Sequence, residues 1–489
     1  MGDEGTTRAD VVGWQGCRAP GNALYVLTDG MVASCCRTNH YLGDARQDLL
    51  SDIWHGQARQ DFAAAVDAGQ LSIGCGGCAR EHEVEGRAGT FAAHYDDYPP
   101  PSDELDQGPA LLGLYFSNTC NLQCTMCDGT SSSSIRLHRE HLPPIKTSYD
   151  DRFFDDLRDL LPHVKALAFA GGEPFLIPEA IRTWELMAEV APDVPATIIT
   201  NGTYWSPRVE RALEGITPNI TVSIDGATAE TYESIRHGAS WDGLMTNLDR
   251  LQALTERKGT DLVICFSLFV DNHHELGAML ELAEARGIAV EVSVVREPVG
   301  LSIYAQPVEA MRAILAGLEA QDAELRASLV RNLGVWEAEL DRLRRWVAER
   351  ELGTAAPWEE ESILGISRSG GGATDAAWAL AELRAALPTA EVAELVVGPG
   401  DVIVRATPAD EALLGLEPGS AVGRSADVLW GALTARWGSG ALALVGRSDD
   451  WTSNAAELER ASVRAMAVAL RDGTGRADEV ALLVAVAPR

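Results

Sequence analysis

The stretch Cys120-Asn121-Leu122-Gln123-Cys124-Thr125-Met126-Cys127 places three thiols within eight residues, just past an apolar run that reads as a strand over 112 to 117. Iron–sulfur clusters need soft thiolates on their irons, and most use four. No fourth cysteine lies near in the sequence, so one iron would stay without a protein ligand, as an open catalytic metal site requires. The alternative is a zinc site completed by His138 or His141. The x3-then-x2 spacing in a strand-to-helix loop suits the cluster better.

Outward from this loop, Leu111 to Val299 alternates short β-branched runs with amphipathic stretches of helical period. That is the pattern of βα units on a parallel sheet. Strands are expected near 112–117, 165–170, 195–200, 219–225, 261–269 and 290–295, with helices such as Asp150–Leu161 and Glu275–Arg286 between them. Six units predict an α/β fold, a partial (β/α)6 barrel over 108–300, with its site at the carboxyl ends of the strands.

The cysteine loop resembles the signature loop of radical SAM enzymes, and the resemblance covers about residues 110 to 300. Gly171-Gly172-Glu173-Pro174 is similar to the family's Gly-Gly-Glu motif, which approaches the amino group of S-adenosylmethionine (SAM). Asn201, in Thr200-Asn201-Gly202, and Ser223 and Asp225, in Ser223-Ile224-Asp225-Gly226, match positions that contact its ribose and methionine parts. Arg236, in Tyr232-Glu233-Ser234-Ile235-Arg236, matches an arginine whose planar fork pairs with the SAM carboxylate. Met126 stands at the adenine-contact position, where the family usually has an aromatic residue. The resemblance implies a [4Fe–4S] cluster on Cys120, Cys124 and Cys127 with an open iron for SAM, and an external donor such as flavodoxin or ferredoxin. It also implies a 5′-deoxyadenosyl radical in a pocket that excludes water. No catalytic residue beyond these is assigned.

Cys17, Cys35, Cys75 and Cys78 make a second set. The turn Thr28-Asp29-Gly30 lies between Ala23-Leu24-Tyr25-Val26-Leu27 and Met31-Val32-Ala33, so a hairpin would bring Cys17 and Cys35 together. Four thiolates close a site, and spacing alone leaves a structural zinc open. The pattern resembles the twitch domain, a short form of the SPASM domain, and Leu49 to Gly56 is similar to the helix that follows in such modules. Residues 1–98 are thus expected to hold an auxiliary [4Fe–4S] cluster for electron transfer, before the barrel where relatives place it after. Cys36 reads as a spare thiol and Cys265 as a core strand residue.

Residues 301–390 read as a helical extension, continuous over 305–350, followed by a linker with Gly370-Gly371-Gly372. A short helix is expected near 375–386, then a hairpin of Ala393–Val397 and Val402–Arg405, the runs Ala412–Leu416 and Val422–Ser425, and a closing strand over Glu479–Val486. In this order residues 391–489 resemble a PAS domain, an α+β unit suited to dimer contact, ligand sensing or partner binding. No histidine follows His274 and no cysteine follows Cys265, which leaves this unit without a haem ligand or a flavin-adduct thiol.

The formal charge of −32 argues against nucleic acid and against an anionic membrane, and no run approaches the roughly 18 to 20 apolar residues of a membrane span. The start, Met1-Gly2-Asp3-Glu4-Gly5, has neither the basic nor the apolar part of a secretory signal, which makes the cytoplasm the expected compartment and metal the expected use of nine cysteines. Only sixteen residues precede Cys17, so a peptide substrate is expected to be presented by a separate partner. The leading expectation is modification of a peptide or protein side chain. A dehydrogenase or epimerase of a small metabolite, and a redox sensor acting through the PAS-like unit, are the alternatives.

Overall fold

The computed structural model describes residues 14–352 except 15, 86, 88–89, 99–106 and 296–297, and four strands beyond residue 390. In chain order the strands are β1 (Ala23–Val26), β2 (Met31–Ala33), β3 (Gly43–Asp44), β4 (Leu111–Leu114), β5 (Gln123–Cys124), β6 (Ala166–Phe169), β7 (Pro195–Thr200), β8 (Thr217–Ser223), β9 (Arg236–His237), β10 (Leu262–Leu268) and β11 (Ala289–Val294). Nine of them form one sheet in the order β11-β10-β8-β7-β6-β4-β1-β2-β3. The six strands expected from the sequence, β4, β6, β7, β8, β10 and β11, are mutually parallel neighbours.

β1 is a seventh parallel strand, with Ala23 opposite Leu111 and Val26 opposite Leu114. The hairpin expected around Gly30 forms, Gly30 taking a φ of +88°, and β2 and β3 continue antiparallel from β1. The N-terminal segment is therefore an extension of the barrel sheet. Its Leu24, Val26 and Trp54 share one core with Leu112, Trp184 and Leu248, and with Trp336 and Val347 of the helices that follow β11. The segments on either side of 98–108 and of 300 thus share one core and cluster as one compact unit.

Alternation decides which face meets the helices. In β8 Pro218, Ile220 and Val222 are buried while Thr217, Asn219, Thr221 and Ser223 are half-buried, and β7 shows the same period with Ile199 42% exposed. The helices pack on the buried set. Asp150 caps helix Asp151–Leu160 by accepting from Phe153 N–H at 3.1 Å, and that helix buries Phe153, Phe154, Leu157 and Leu160. The stretch expected to be one helix over 305–350 is three, Val308–Glu319, Asp322–Ser328 and Leu333–Leu352. Asn332 explains one break: its side chain accepts from Val290 N–H at 2.9 Å and donates to Ile288 O at 3.0 Å, which ties the chain to β11.

Residues 359–489 cluster as a second unit. Its described part is an antiparallel sheet of β12 (Glu391–Gly398), β13 (Val402–Ala406), β14 (Val463–Arg471) and β15 (Ala477–Val486), in the order β13-β12-β15-β14. The hairpin and closing strand expected of a PAS-like unit fall on β12, β13 and β15. The expected linker, the short helix near 375–386, Ala412–Leu416 and Val422–Ser425 lie outside the described residues. Among the described residues no helix is long and apolar enough to cross a membrane.

Candidate active site

The expected site residues gather where the chain leaves the carboxyl ends of the parallel strands. Beyond β4 the backbone of Ser117 to Thr119 crosses the end of β6, with Gly172 N–H donating to Ser117 O at 3.0 Å and Glu173 N–H to Thr119 O at 2.7 Å. A Cβ on Gly172 would lie 2.2 Å from Thr119 O, and Gly171 adopts a φ of +102°. Close packing on the cysteine loop thus requires both glycines. Glu173 is fully buried, and its carboxylate accepts from Thr200 Oγ1 at 2.7 Å, Asn201 N–H at 2.7 Å and Phe175 N–H at 3.0 Å. Burial pushes its pKa up, against the pull of those donors. Within the protein, Glu173 ties the end of β7 to the turn after β6 and so holds Asn201 in place.

Asn201 faces the cysteines. Its Nδ2 donates to Asn121 Oδ1 at 3.1 Å and lies 3.9 Å from Cys120 Sγ. On the other side of the loop β5 pairs with β9, setting Cys124 opposite Arg236, and Thr125 N–H donates to Ile235 O at 2.9 Å. The Arg236 guanidinium is buried, with Nη2 2.6 Å from Asp225 Oδ2 and Nη1 3.9 Å from Cys124 Sγ. Asp225 in turn accepts from Ser267 N–H at 2.8 Å. The fork expected to meet a SAM carboxylate is thus already turned to Asp225 and the thiol, and its Nε is buried without a partner. Ser223 is half-buried at the end of β8, in register with Cys265. Cys265 accordingly lies on the half-buried inner face of β10, opposite the face that packs on the helices. Met126 packs with Ile235, Phe269 and Val295.

The donor set fits a cluster by its chemistry. Burial raises the pKa of all three thiols, Cys127 to about 12, and for Cys127 the nearby Cys124 adds to the rise. Thiols crowded in this way ionise when a multivalent cation binds them. Arg139 braces the loop, Nη1 donating to Cys124 O at 3.3 Å and Nη2 to Cys127 O. Sequence reasoning missed it: it stands twelve residues past Cys127, beyond the reach of any local motif.

The second set of cysteines also converges. Cys17 precedes the helical turn Ala19–Asn22, Cys35 follows β2, and Cys75 and Cys78 flank the start of helix Gly76–Glu85. All four line one cavity with Trp14, Phe62, Phe91 and Tyr95. Among the described residues no three His, Cys, Asp or Glu side chains close on a point as ligands of a single ion. Burial lifts Cys17 and Cys75 to about 12, their neighbouring thiols adding to it, whereas a hydrogen bond from Cys36 holds Cys35 down. Cys36 lies outside that lining, hydrogen-bonded to Cys35 and to Tyr115. Tyr115 joins Tyr25 edge-on at 5.7 Å, and Tyr25 meets Tyr95 hydroxyl to hydroxyl at 3.2 Å, so phenols fill the inner face between the second cysteine set and the barrel.

Residues 114–283 match the Radical SAM superfamily, and residues 17–79 match the SPASM family, an iron-sulfur cluster-binding domain. Among curated proteins, the AdoMet-dependent heme synthase of Methanosarcina barkeri is 28% identical over 27% of this chain and 36% of its own length. The GTP 3′,8-cyclase of Chlorobaculum tepidum is 27% identical over 39% of this chain and 54% of its own. The mycofactocin maturase MftC of Mycobacterium tuberculosis is 31% identical over 30% and 35%. The chain thus spans between about a third and just over half of these relatives. Among solved structures, anSMEcpe with bound AdoMet gives a TM-score of 0.34 at 17% identity, covering 45% of this chain and 62% of that one. Streptococcus suis SuiB bound to precursor peptide SuiA gives 0.35 at 13%, covering 58% and 64%.

Proposed function

We propose that this chain, which carries a radical SAM domain and a SPASM domain and so takes a [4Fe–4S] cluster, SAM and an auxiliary iron–sulfur cluster, modifies a side chain of a peptide. The observation that carries the radical chemistry is the loop itself: three thiols, brought against Asn201 and Arg236 at the strand ends, with no fourth cysteine in the same loop. When bound, the cluster and SAM supply a 5′-deoxyadenosyl radical that abstracts hydrogen from substrate carbon.

The chain's own residues hold that chemistry in place. Cys120, Cys124 and Cys127 ligate, and Arg236 offsets the negative charge on Cys124. The backbone of Gly171 and Gly172, with Asn201, Ser223 and Met126, forms the wall that SAM would meet, while Glu173 and Asp225 fix that wall from behind. Cys17, Cys35, Cys75 and Cys78 hold the auxiliary cluster, whose closed thiolate set suits it to take up or relay an electron. A peptide substrate is favoured by the maturase among the relatives and by the SPASM module. The C-terminal unit, read as PAS-like, serves to bind a partner or to dimerise.

Incubation of the reconstituted protein with SAM, dithionite and peptides encoded beside it tests this. The expected result is 5′-deoxyadenosine together with a mass change on one peptide. Nucleoside without a peptide change would favour a small-metabolite substrate, and absence of the nucleoside would leave the sensor reading.

A further inference from the structure

Acidic residues number 72 in 489, yet residues 107–149, which contain the cysteine loop and the segment over it, hold only Asp128 and Glu140. Both face inward. Asp128 Oδ1 accepts from Thr130 N–H at 2.9 Å and Ser131 N–H at 3.1 Å, and Glu140 Oε1 accepts from Gly129 N–H at 2.6 Å. What the segment shows to solvent is His138, Arg139, His141 and Lys146, around Leu137, which is 53% exposed, and Pro143 and Pro144. Arg136, Arg139 and Lys146 thus outnumber the two carboxylates over 107–149, a local reversal of sign on a chain of net charge −32.

The patch is anchored to the cluster loop. Ser133 N–H donates to Asn118 O at 2.7 Å, Cys120 N–H to Ser133 Oγ at 3.1 Å, and Ser132 Oγ to Leu122 O at 2.6 Å. Between the two runs an open groove, with Leu137, His138 and Pro144 among its walls, reaches Cys120. One of the proposed cluster ligands therefore lines it.

We propose that residues 133–146 are the docking site of an acidic one-electron carrier protein that reduces the cluster, an inference that rests on the radical SAM reading above. The patch has the apolar centre and charged rim of a transient interface, and its sign is complementary to an acidic carrier while the rest of the surface repels one. In the step served, the carrier is oxidised by one electron and the cluster reduced by one, and no bond forms or breaks.

The test compares reductants on the reconstituted full-length chain and on Leu137→Asp and Lys146→Glu, both at exposed positions. The rate of cluster reduction is read from bleaching of its visible absorption. With dithionite the variants should match the parent. With reduced flavodoxin they should be slower by about tenfold or more, and the parent's rate should fall steeply as salt rises. Equal flavodoxin rates in parent and variants, or a salt-independent parent rate, overturn the proposal. Variants that take electrons normally but lose peptide modification also overturn it, and assign the patch to substrate. A parent that holds no reducible cluster would instead sink the radical SAM reading.

Discussion

The two cysteine sites are built in opposite ways. Cys120, Cys124 and Cys127 come from one loop, and Asn201 and Arg236 close on it from strand ends. Cys17, Cys35 and the Cys75–Cys78 pair come from three segments, brought together by the hairpin of β1 and β2 and by the bonds of Thr38 Oγ1 and Asn39 N–H to Gly74 O. The first site carries its ligand spacing in local sequence, and the second borrows it from tertiary contacts. Damage should therefore stay confined in one and spread in the other.

The hardest break is the triple change Cys120→Ala, Cys124→Ala and Cys127→Ala, which should abolish 5′-deoxyadenosine formation and halve the iron content while the circular dichroism spectrum stays unchanged. Loss of the N-terminal iron as well would deny the independence of the two sites. Next, Cys75→Ala with Cys78→Ala should leave SAM cleavage in place and remove most of the modified product, as followed by paired nucleoside and peptide assays.

Arg236→Met leaves Asp225 buried without its cation, so a loss of about 3 to 5 kcal/mol is expected by denaturant titration. Gly113→Val tests the borrowed geometry. Its Cβ would lie 2.1 Å from the Tyr25 ring across the β1–β4 pair, so overpacking should cost about 1 to 3 kcal/mol, and N-terminal iron should be lost before core iron.

The smallest effect belongs to Glu275, which accepts from Ala227 N–H at 2.6 Å, Thr228 Oγ1 at 2.7 Å and Thr231 Oγ1 at 2.6 Å, and so pins the helix that leads to Arg236. Burial alone would raise its pKa, but these hydrogen bonds prevail and hold it below the ordinary value of 4.5. A depressed carboxylate contributes stability that is whole above its unfolded pKa and is lost as pH falls through the folded one. Glu275→Gln should therefore cost about 1 kcal/mol near neutrality and flatten the parent's loss of stability below about pH 4.5.

Much of this arrangement could be read beforehand, and where it could not the reason is physical. β7 fell on the expected residues, because alternation over Pro195–Thr200 is a local property. The cysteine loop was legible because its spacing is. The pairing of β1 with β4 was not, since a parallel register between distant segments leaves no mark in either. Motif reading located Glu173 and Arg236 at the strand ends but not the directions of their side chains, which Thr200, Asn201 and Asp225 decide. The helix break at Asn332 was likewise invisible, because its cause is a bond to Val290.

The place of β1 bears on how the protein is made. Ala23 leaves the ribosome well before Leu111, its partner, has been translated. Until then the hairpin is an unsupported edge, and Leu24 and Val26 have no partner strand beside which to be buried. Metal delivery to the N-terminal site should consequently wait for the barrel's first strand, even though its ligands are the first to be synthesised.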